Sequence, residues 1–304
     1  MNSRLFTSLF LAYLFHATPL PAQTAYTHHD LSVTLSPEGH RLSVKDSVTL
    51  PADHPRGIQF TLHKGLSPTS TTPGVHIEKR GGKEAAVPLE SFAVILPPGL
   101  RTFIVTYEGS IYHTVEQTGG EQARGFSETP GTIAPQGVHL SGNSGWYPDF
   151  GSSLVTFELD VKLPAGWDAV SQGERTRHER RSDATSVRWQ SPDPQDAIFL
   201  IAAPFTEYSK PAGGVTAMAF LRAPDPGLAG KYLDATVKYL DMYSRLIGPY
   251  PYKKFALVEN FWETGFGMPS FTLLGPTVIR LPFIINTSYP HEILHNWWGN
   301  SVYP

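Results

Sequence analysis

Residues 291–295 read His-Glu-Ile-Leu-His, and both their types and their spacing suit metal chemistry. Residues four apart lie on one face of a helix, so His291 and His295 can direct both imidazoles at one metal ion. This pattern is typical of zinc, and Glu292 stands beside the ligands, where it can take a proton from a water at the metal. The motif therefore predicts a zinc cofactor held by His291 and His295, with Glu292 as the catalytic base.

The flanking residues predict the helix that this pairing requires. Pro290 suits a first helical turn, because proline there loses no hydrogen bond, and Gly299 suits a position after the last turn. Trp297 and Trp298 follow the motif, and aromatic residues beside a metal site more often pack than bind substrate.

Upstream of the motif the chain reads as strands. Apolar and polar residues alternate at 42–50, 103–107 and 155–163, which is the period of a strand with one buried face. Turn clusters rich in Pro and Gly separate these runs, and no helical period interrupts them. The pattern predicts an all-β sandwich or saddle domain over residues 23–207.

The pattern changes after residue 208. Residues 215–221 form one more apolar run, and Asp225 and Pro226 then provide an N-cap and a first helical position. Gly248 provides a stop. Between them, one helical face carries Leu228, Tyr232, Thr236, Tyr239, Leu240, Tyr243 and Ile247. A second domain is therefore predicted over residues 208–304.

The first 22 residues have the order of a secretory signal peptide. Arg4 precedes a short apolar run, and small and turn-forming residues follow it. The run is shorter than the roughly 20 apolar residues that cross a bilayer, and no later segment could span one. Residues 1–22 are therefore predicted to direct export, so that the protein is periplasmic or secreted.

The cysteine content and the net charge limit the kinds of anchor and partner that the chain can have. The chain has no cysteine, so it can form neither disulfides nor a lipid-anchored cysteine. Its formal net charge is −3, and nothing indicates nucleic acid as a partner. The basic run at residues 175–181 contains a Glu and is interpreted as a solvated hairpin loop. The oligomeric state stays open.

Three segments resemble the membrane alanyl aminopeptidase family of gluzincin zinc metallopeptidases. Residues 291–300, His-Glu-Ile-Leu-His-Asn-Trp-Trp-Gly-Asn, resemble its zinc helix, His-Glu-x-x-His-x-Trp-(aromatic)-Gly-Asn. Residues 248–254, Gly-Pro-Tyr-Pro-Tyr-Lys-Lys, are similar to its Gly-x-Tyr-Pro-x-x-Lys segment. Residues 146–150, Trp-Tyr-Pro-Asp-Phe, are similar to an aromatic-proline segment of its N-terminal domain.

The resemblance implies a β + α/β fold, in which an N-terminal β-saddle precedes the start of a thermolysin-like catalytic domain. It also implies hydrolysis of peptide substrates, as in an aminopeptidase. The family's third zinc ligand is a Glu about eighteen residues beyond the second His. This chain ends nine residues beyond His295, at Pro304. A site with only two protein ligands is expected to be inactive, because a catalytic zinc usually has three.

One segment departs from the family pattern. The family's substrate-binding strand reads Gly-x-Met-Glu-Asn, and its Glu binds the free α-amine of the substrate. The matching residues here read Gly-Phe-Gly-Met-Pro-Ser, so Gly267 and Met268 match substrate-binding positions while Pro269 replaces the Glu. Proline supplies neither charge nor N–H. Glu259 and Glu263 lie nearby in sequence, and each could either replace that charge or be an ordinary loop carboxylate.

The sequence leaves three functions open. The first is a zinc peptidase that acts as an aminopeptidase. The second is a gluzincin relative that does not require a free N-terminus. The third is a secreted β-sandwich binding protein whose peptidase segment is degenerate.

Overall fold

A computed structural model describes residues 26–54, 57–83, 86–117, 127–151 and 154–301. The predicted signal peptide, residues 1–22, lies outside the described residues. Where the chain is described, strands predominate and two α-helices occur, both after residue 225. No helix of the described residues is long and apolar enough to cross a membrane. The predicted class, a β domain followed by an α/β segment, is confirmed.

A seven-stranded sheet organises the N-terminal part of the chain, in the order β14-β15-β12-β1-β2-β7-β4. Its strands are β1 (Thr27–Ser36), β2 (Arg41–Thr49), β4 (Thr69–Ser70), β7 (Thr102–Ser110), β12 (Val155–Pro164), β14 (Glu174–Arg180) and β15 (Ala184–Gln195). Along β12 every second residue from Val155 to Leu163 is buried, as the alternation predicts. The polar residues between them face outward or toward partners at the sheet surface.

Smaller sheets complete the N-terminal part. A three-stranded sheet has the order β3-β6-β5, and a four-stranded sheet has the order β10-β11-β16-β13. Their strands are β3 (Ile58–His63), β5 (His76–Lys83), β6 (Leu89–Ile95), β10 (Thr132–Ala134), β11 (Gly137–Leu140), β13 (Asp168–Val170) and β16 (Leu200–Ala203). A two-stranded ribbon pairs β8 (Glu116–Gln117) with β9 (Ser127–Glu128).

The predicted loop at residues 175–181 is wrong, because most of it forms the edge strand β14. Its arginines form ion pairs, although the side chains of Arg177, Arg180 and Arg181 stay about half exposed or more. The Arg175 guanidinium holds both carboxylate oxygens of Glu207, at 2.9 and 2.6 Å, and Arg177 pairs with Asp160. These ion pairs neutralise the run and allow it to lie along β15.

A mixed five-stranded sheet follows, in the order β17-β18-β19-β21-β20. Its strands are β17 (Thr206–Ala212), β18 (Val215–Leu221), β19 (Lys254–Glu259), β20 (Gly265–Met268) and β21 (Phe271–Leu274). The domain boundary predicted at residue 207 falls in β17. Helix α1 (Pro226–Leu246) connects the parallel strands β18 and β19, and helix α2 (Ser288–Leu294) follows the sheet.

Helix α1 begins as the sequence predicts. The Asp225 carboxylate accepts a hydrogen bond from the Leu228 N–H at 2.9 Å, and Pro226 occupies the first turn. Tyr232, Thr236, Tyr239 and Leu240 of the predicted face are buried. Ile247 is exposed, because it lies at the C-cap, past the end of the packed face.

Both faces of the five-stranded sheet are covered. One face contributes Ala217, Phe255 and Leu257 to a core shared with α1 and α2. The other face contributes residues such as Phe220 and Val258 to the core of the N-terminal β domain. With both faces packed, a ligand can reach this sheet only along an edge, and β20 is an edge strand.

Two histidines of the N-terminal domain form a partly buried hydrogen bond. The Gly65 N–H donates to Nδ1 of His63 at 2.9 Å, so the neutral ring carries its proton on Nε2. That Nε2 lies 2.9 Å from Nε2 of His113 and donates to it. Burial, helped by the neighbouring His113, lowers the pKa of His63 to about 4. Both rings are therefore neutral near pH 7.

Acidification is expected to destabilise the protein through His63. As the pH falls from 6.5, the ordinary His pKa, toward about 4, the unfolded chain binds a proton at His63 that the folded chain does not. The free energy of unfolding therefore falls with the pH through this window. H63N keeps an acceptor for the Gly65 N–H and removes the titration, so its urea midpoint should change less with pH than that of wild type.

The exposed His76 provides the control for this measurement. H76N should keep the wild-type dependence of the urea midpoint on pH. An H63N protein with the full wild-type dependence would show that His63 is not the group that titrates.

Candidate metal centre

The His-Glu-Ile-Leu-His motif lies on α2, at its C-terminal end. The last regular bond joins the His295 N–H to the His291 carbonyl at 3.1 Å. From Asn296 to Trp298 the N–H groups bond three residues back instead of four, so the helix tightens before it ends. Gly299, with φ of 107°, then redirects the chain.

Packing holds this short helix in place. Tyr289, Ile293 and Trp297 are buried in the core shared with α1 and the five-stranded sheet. The Tyr289 hydroxyl lies 2.5 Å from that of Thr236 on α1. The Trp297 indole N–H donates to the Gly248 carbonyl at 3.0 Å. Trp297 is thus a packing residue, as predicted, whereas the Trp298 side chain is exposed.

The two histidines of the motif converge on one point. Nε2 of His291 lies 2.9 Å from Nε2 of His295. Nδ1 of His295 lies 3.3 Å from the Trp298 carbonyl, which can only accept, so Nδ1 carries the proton and Nε2 presents a lone pair. This is the tautomer that binds a metal through Nε2.

These residues fit a zinc ion. Zinc–nitrogen bonds of about 2.0–2.1 Å at a tetrahedral angle separate two ligand nitrogens by about 3.3 Å, close to the spacing of His291 and His295. Nε2 of His63 and Nε2 of His113 have the same spacing, but His63 carries its proton on Nε2, whereas His295 presents a lone pair there. His295 is therefore in the tautomer that binds a metal through Nε2, and His63 is not.

Glu292 lies between the metal motif and the edge strand β20. A Cβ added at Gly267 would be 2.2 Å from Oε2 of Glu292 and 3.8 Å from Cδ2 of His295. The backbone of β20 therefore runs directly past the carboxylate, and a Cβ at residue 267 would have to displace it. Burial raises the pKa of the Glu292 carboxyl, although His295 and His291 act in the opposite direction. A carboxylate in such surroundings is a better proton acceptor than an exposed one.

The remaining residues predicted to bind substrate fall into two groups. Met268 ends β20 beside Gly267, with its side chain buried on the face toward the N-terminal domain, and Pro269 is buried in the turn that follows. Glu259 is 4 % exposed, and its Oε1 lies 2.6 Å from the Arg280 guanidinium. Its Oε2 accepts from the Arg222 N–H at 2.9 Å.

Glu263 caps a turn. Its Oε1 accepts from the Thr277 N–H at 2.9 Å. Its Oε2 is buried, lies against Gly275, and has no hydrogen-bond partner within the described part of the chain. The contacts of Glu259 and Glu263 thus hold the loops around the sheet, whereas Gly267 contacts Glu292.

A second group with potential metal ligands lies far from α2 in sequence. Asp168, His178 and Glu207 bring their ligand atoms within 4.8 Å of one another. Oδ2 of Asp168 already lies 2.9 Å from His178 and 2.8 Å from Arg180, and Arg175 holds both oxygens of Glu207. With two guanidinium groups at these carboxylates, the cluster is an ion-pair network rather than a cation site.

Motif reasoning from the sequence did not find this network, because its members lie on β13, β14 and β17, which only the folded sheets bring together. Burial is the largest single effect on the Asp168 carboxyl and by itself would raise its pKa, but the hydrogen bonds from His178 and Arg180, with the charge of His178, together lower it.

No family model and no curated protein matches the sequence. Solved structures do match. An M1 zinc metallopeptidase from Deinococcus radiodurans gives a TM-score of 0.63 at 20 % identity, covering 90 % of this chain and 63 % of its own.

Two further solved structures match this chain with similar TM-scores. A mutant of that Deinococcus enzyme, bound to a Tyr-Ser-Ala substrate, gives a TM-score of 0.62 at 19 % identity, covering 90 % of this chain and 64 % of its own. Native yeast LTA4 hydrolase gives 0.61 at 16 % identity, covering 90 % of this chain and 44 % of its own. This chain therefore has the fold of the M1 zinc metallopeptidases over nine tenths of its length, and it spans less than two thirds of these proteins.

Proposed function

We propose that this protein is a zinc-dependent peptidase. The observation that carries the proposal is the convergence, at one edge of the sheet, of the Nε2 atoms of His291 and His295 and the Glu292 carboxylate. The M1 fold supports it, since the matched proteins are described as zinc metallopeptidases. The signal-like order of residues 1–22 supports an exported location, periplasmic or secreted.

The edge strand suggests how a peptide would bind. β20 pairs with β21 on one side, and Gly265 and Gly267 on it are exposed. An extended peptide could pair with the open edge and pass Glu292 with its backbone in register. Because Gly267 has no side chain, the peptide backbone could approach the carboxylate closely.

The residues of α2 would divide the chemistry. Zinc, when bound by His291 and His295, supplies Lewis-acid polarisation of a carbonyl and of water. Glu292 would accept the proton of the attacking water and pass it to the leaving amine, a role suited to a half-buried carboxylate. The Trp298 carbonyl would hold His295 in the tautomer that leaves Nε2 free.

Metal binding should require both motif histidines and should not require His63. H291A or H295A should reduce zinc from one equivalent per chain to near zero, because each removes one ligand of a shared ion. H63N should keep the full equivalent, because Nε2 of His63 carries a proton. Zinc measured by mass spectrometry after dialysis checks this, and loss of zinc in H63N would place the metal elsewhere.

Turnover should depend on Glu292 more than metal binding does. E292Q keeps the size of the side chain and loses the base, so kcat should fall by about 10²- to 10⁴-fold while zinc content stays at one per chain. Hydrolysis of a fluorogenic peptide by the intact protein measures this. Turnover retained in E292Q would remove Glu292 from the mechanism.

A specific observation favours a peptidase that does not require a free N-terminus. Pro269 stands where the family's amine-binding Glu is expected, and Glu259 is held by Arg280. A charge-assisted contact with the substrate amine contributes about 1.5–3 kcal/mol, or about 10- to 150-fold in kcat/KM. Without that contact, selectivity for the free amine should be weak.

Free and N-acetylated forms of one peptide test this directly. We expect the two forms to differ by less than about threefold in kcat/KM, well below the roughly tenfold minimum that an amine contact gives. Suppose that kcat/KM is tens-fold higher for the free peptide, and that E263Q removes this preference while E259Q does not. The unpaired oxygen of Glu263 then supplies the charge. The aminopeptidase alternative would then stand.

A further inference from the structure

Ser270, in the turn between β20 and β21, has a strained backbone. Its φ is 67°, a left-handed conformation that a residue with a Cβ rarely adopts. Its carbonyl accepts from the Ala256 N–H and from Nζ of Lys254, each at 3.1 Å. Its hydroxyl oxygen accepts from Nζ of Lys254 at 2.7 Å and from the Gly173 N–H at 3.1 Å. Its own N–H donates to Oδ1 of Asn296 at 2.6 Å.

Asn296 connects this turn to the helix of the metal motif. Its side chain is fully buried, and Nδ2 donates to the carbonyls of Glu292 and Ile293, each at 3.1 Å. These carbonyls belong to the last turn of α2, where helical partners run out. One amide thus binds the turn of the hairpin and the end of α2 at the same time.

Lys254 is buried, and within the described part of the chain its Nζ donates to Ser270 and not to a carboxylate. Nζ lies 5.0 Å from the ring centre of Trp189 in the N-terminal domain and 4.9 Å from that of Phe271. Burial, and then the charge of Arg175, lower its pKa well below the ordinary value. Burying an amine in these surroundings costs free energy. The groups that Lys254 binds therefore point to its role.

We propose that Lys254, Ser270 and Asn296 form a strut that sets the position of β20 against Glu292. Lys254 and Asn296 are positioning residues in this view, and the inference rests on the proposed function of Glu292. Gly267, three residues before Ser270, passes the Glu292 carboxylate too closely for even a Cβ, so small shifts of the turn would change that contact. The bond from Gly173 ties the same strut to the N-terminal domain.

The decisive variant is K254M. Methionine fills the space between the two rings and removes the amine, yet the Ser270 carbonyl keeps the Ala256 N–H and the hydroxyl keeps the Gly173 N–H. No buried polar group of Ser270 is orphaned, so the melting temperature should stay equal or rise. A loss of turnover in this variant could not then be ascribed to lost stability.

Three measurements on the intact protein follow. Amide hydrogen exchange in residues 265–274 should become at least several-fold faster in K254M, and zinc content should not change. For peptide hydrolysis, kcat should fall by about 10- to 100-fold with KM unchanged, because misplacement near the reacting groups lowers turnover rather than binding. K253M, at the exposed neighbouring lysine, is the control and should match wild type throughout.

S270G provides a second variant in case K254M does not fold. It removes the hydroxyl and relieves the left-handed strain, so the fold should persist while hairpin exchange accelerates and kcat falls. Unchanged exchange in the hairpin would overturn the strut, and so would accelerated exchange with unchanged kcat. If wild type hydrolyses no peptide, the proposed function fails. The strut is then judged on amide hydrogen exchange in the hairpin and on the absorption spectrum of Co²⁺ bound at the two histidines. K254M should alter both.

Discussion

The side chains of His291 and His295 bring their Nε2 atoms within 2.9 Å of each other, and the proposed site depends on this arrangement. The protein around the motif must impose this geometry. A seven-residue helix cannot impose it alone, because isolated helices shorter than about 12–15 residues are marginal in water. Burial of Tyr289, Ile293 and Trp297 therefore supplies the rigidity that the motif needs.

The same packing explains why the chemistry is placed at an edge. The five-stranded sheet is covered by helices on one face and by the N-terminal β domain on the other. Its interior strands are closed to ligands, and β20 remains open on one side. α2 lies against that edge at Gly267, so the proposed base, the two proposed metal ligands and an open strand edge occur together. The N-terminal domain thus contributes to the site by covering one face of the sheet.

Much of this could be predicted from residue patterns, because the responsible forces act over short sequence distances. The alternation at residues 155–163 reflects one buried strand face, and the Asp225 cap reflects one helix end. The prediction failed at residues 175–181, where the sequence shows charge but not the acidic partners that β12 and β17 bring to it. Partners distant in sequence also explain why the network around Asp168 was missed.

Sequence distance also explains why the metal motif could be predicted from the sequence and the substrate contacts could not. His291, Glu292 and His295 lie on one helix, so their relation follows from helical geometry alone. In the proposed function, substrate register instead depends on the turn after β20, which Lys254 on β19 and Asn296 beyond α2 hold through hydrogen bonds. Pro269 could therefore replace a charged residue in that turn without disturbing the arrangement of the metal ligands. A chain of this kind can keep the chemistry of hydrolysis while its choice of substrate changes.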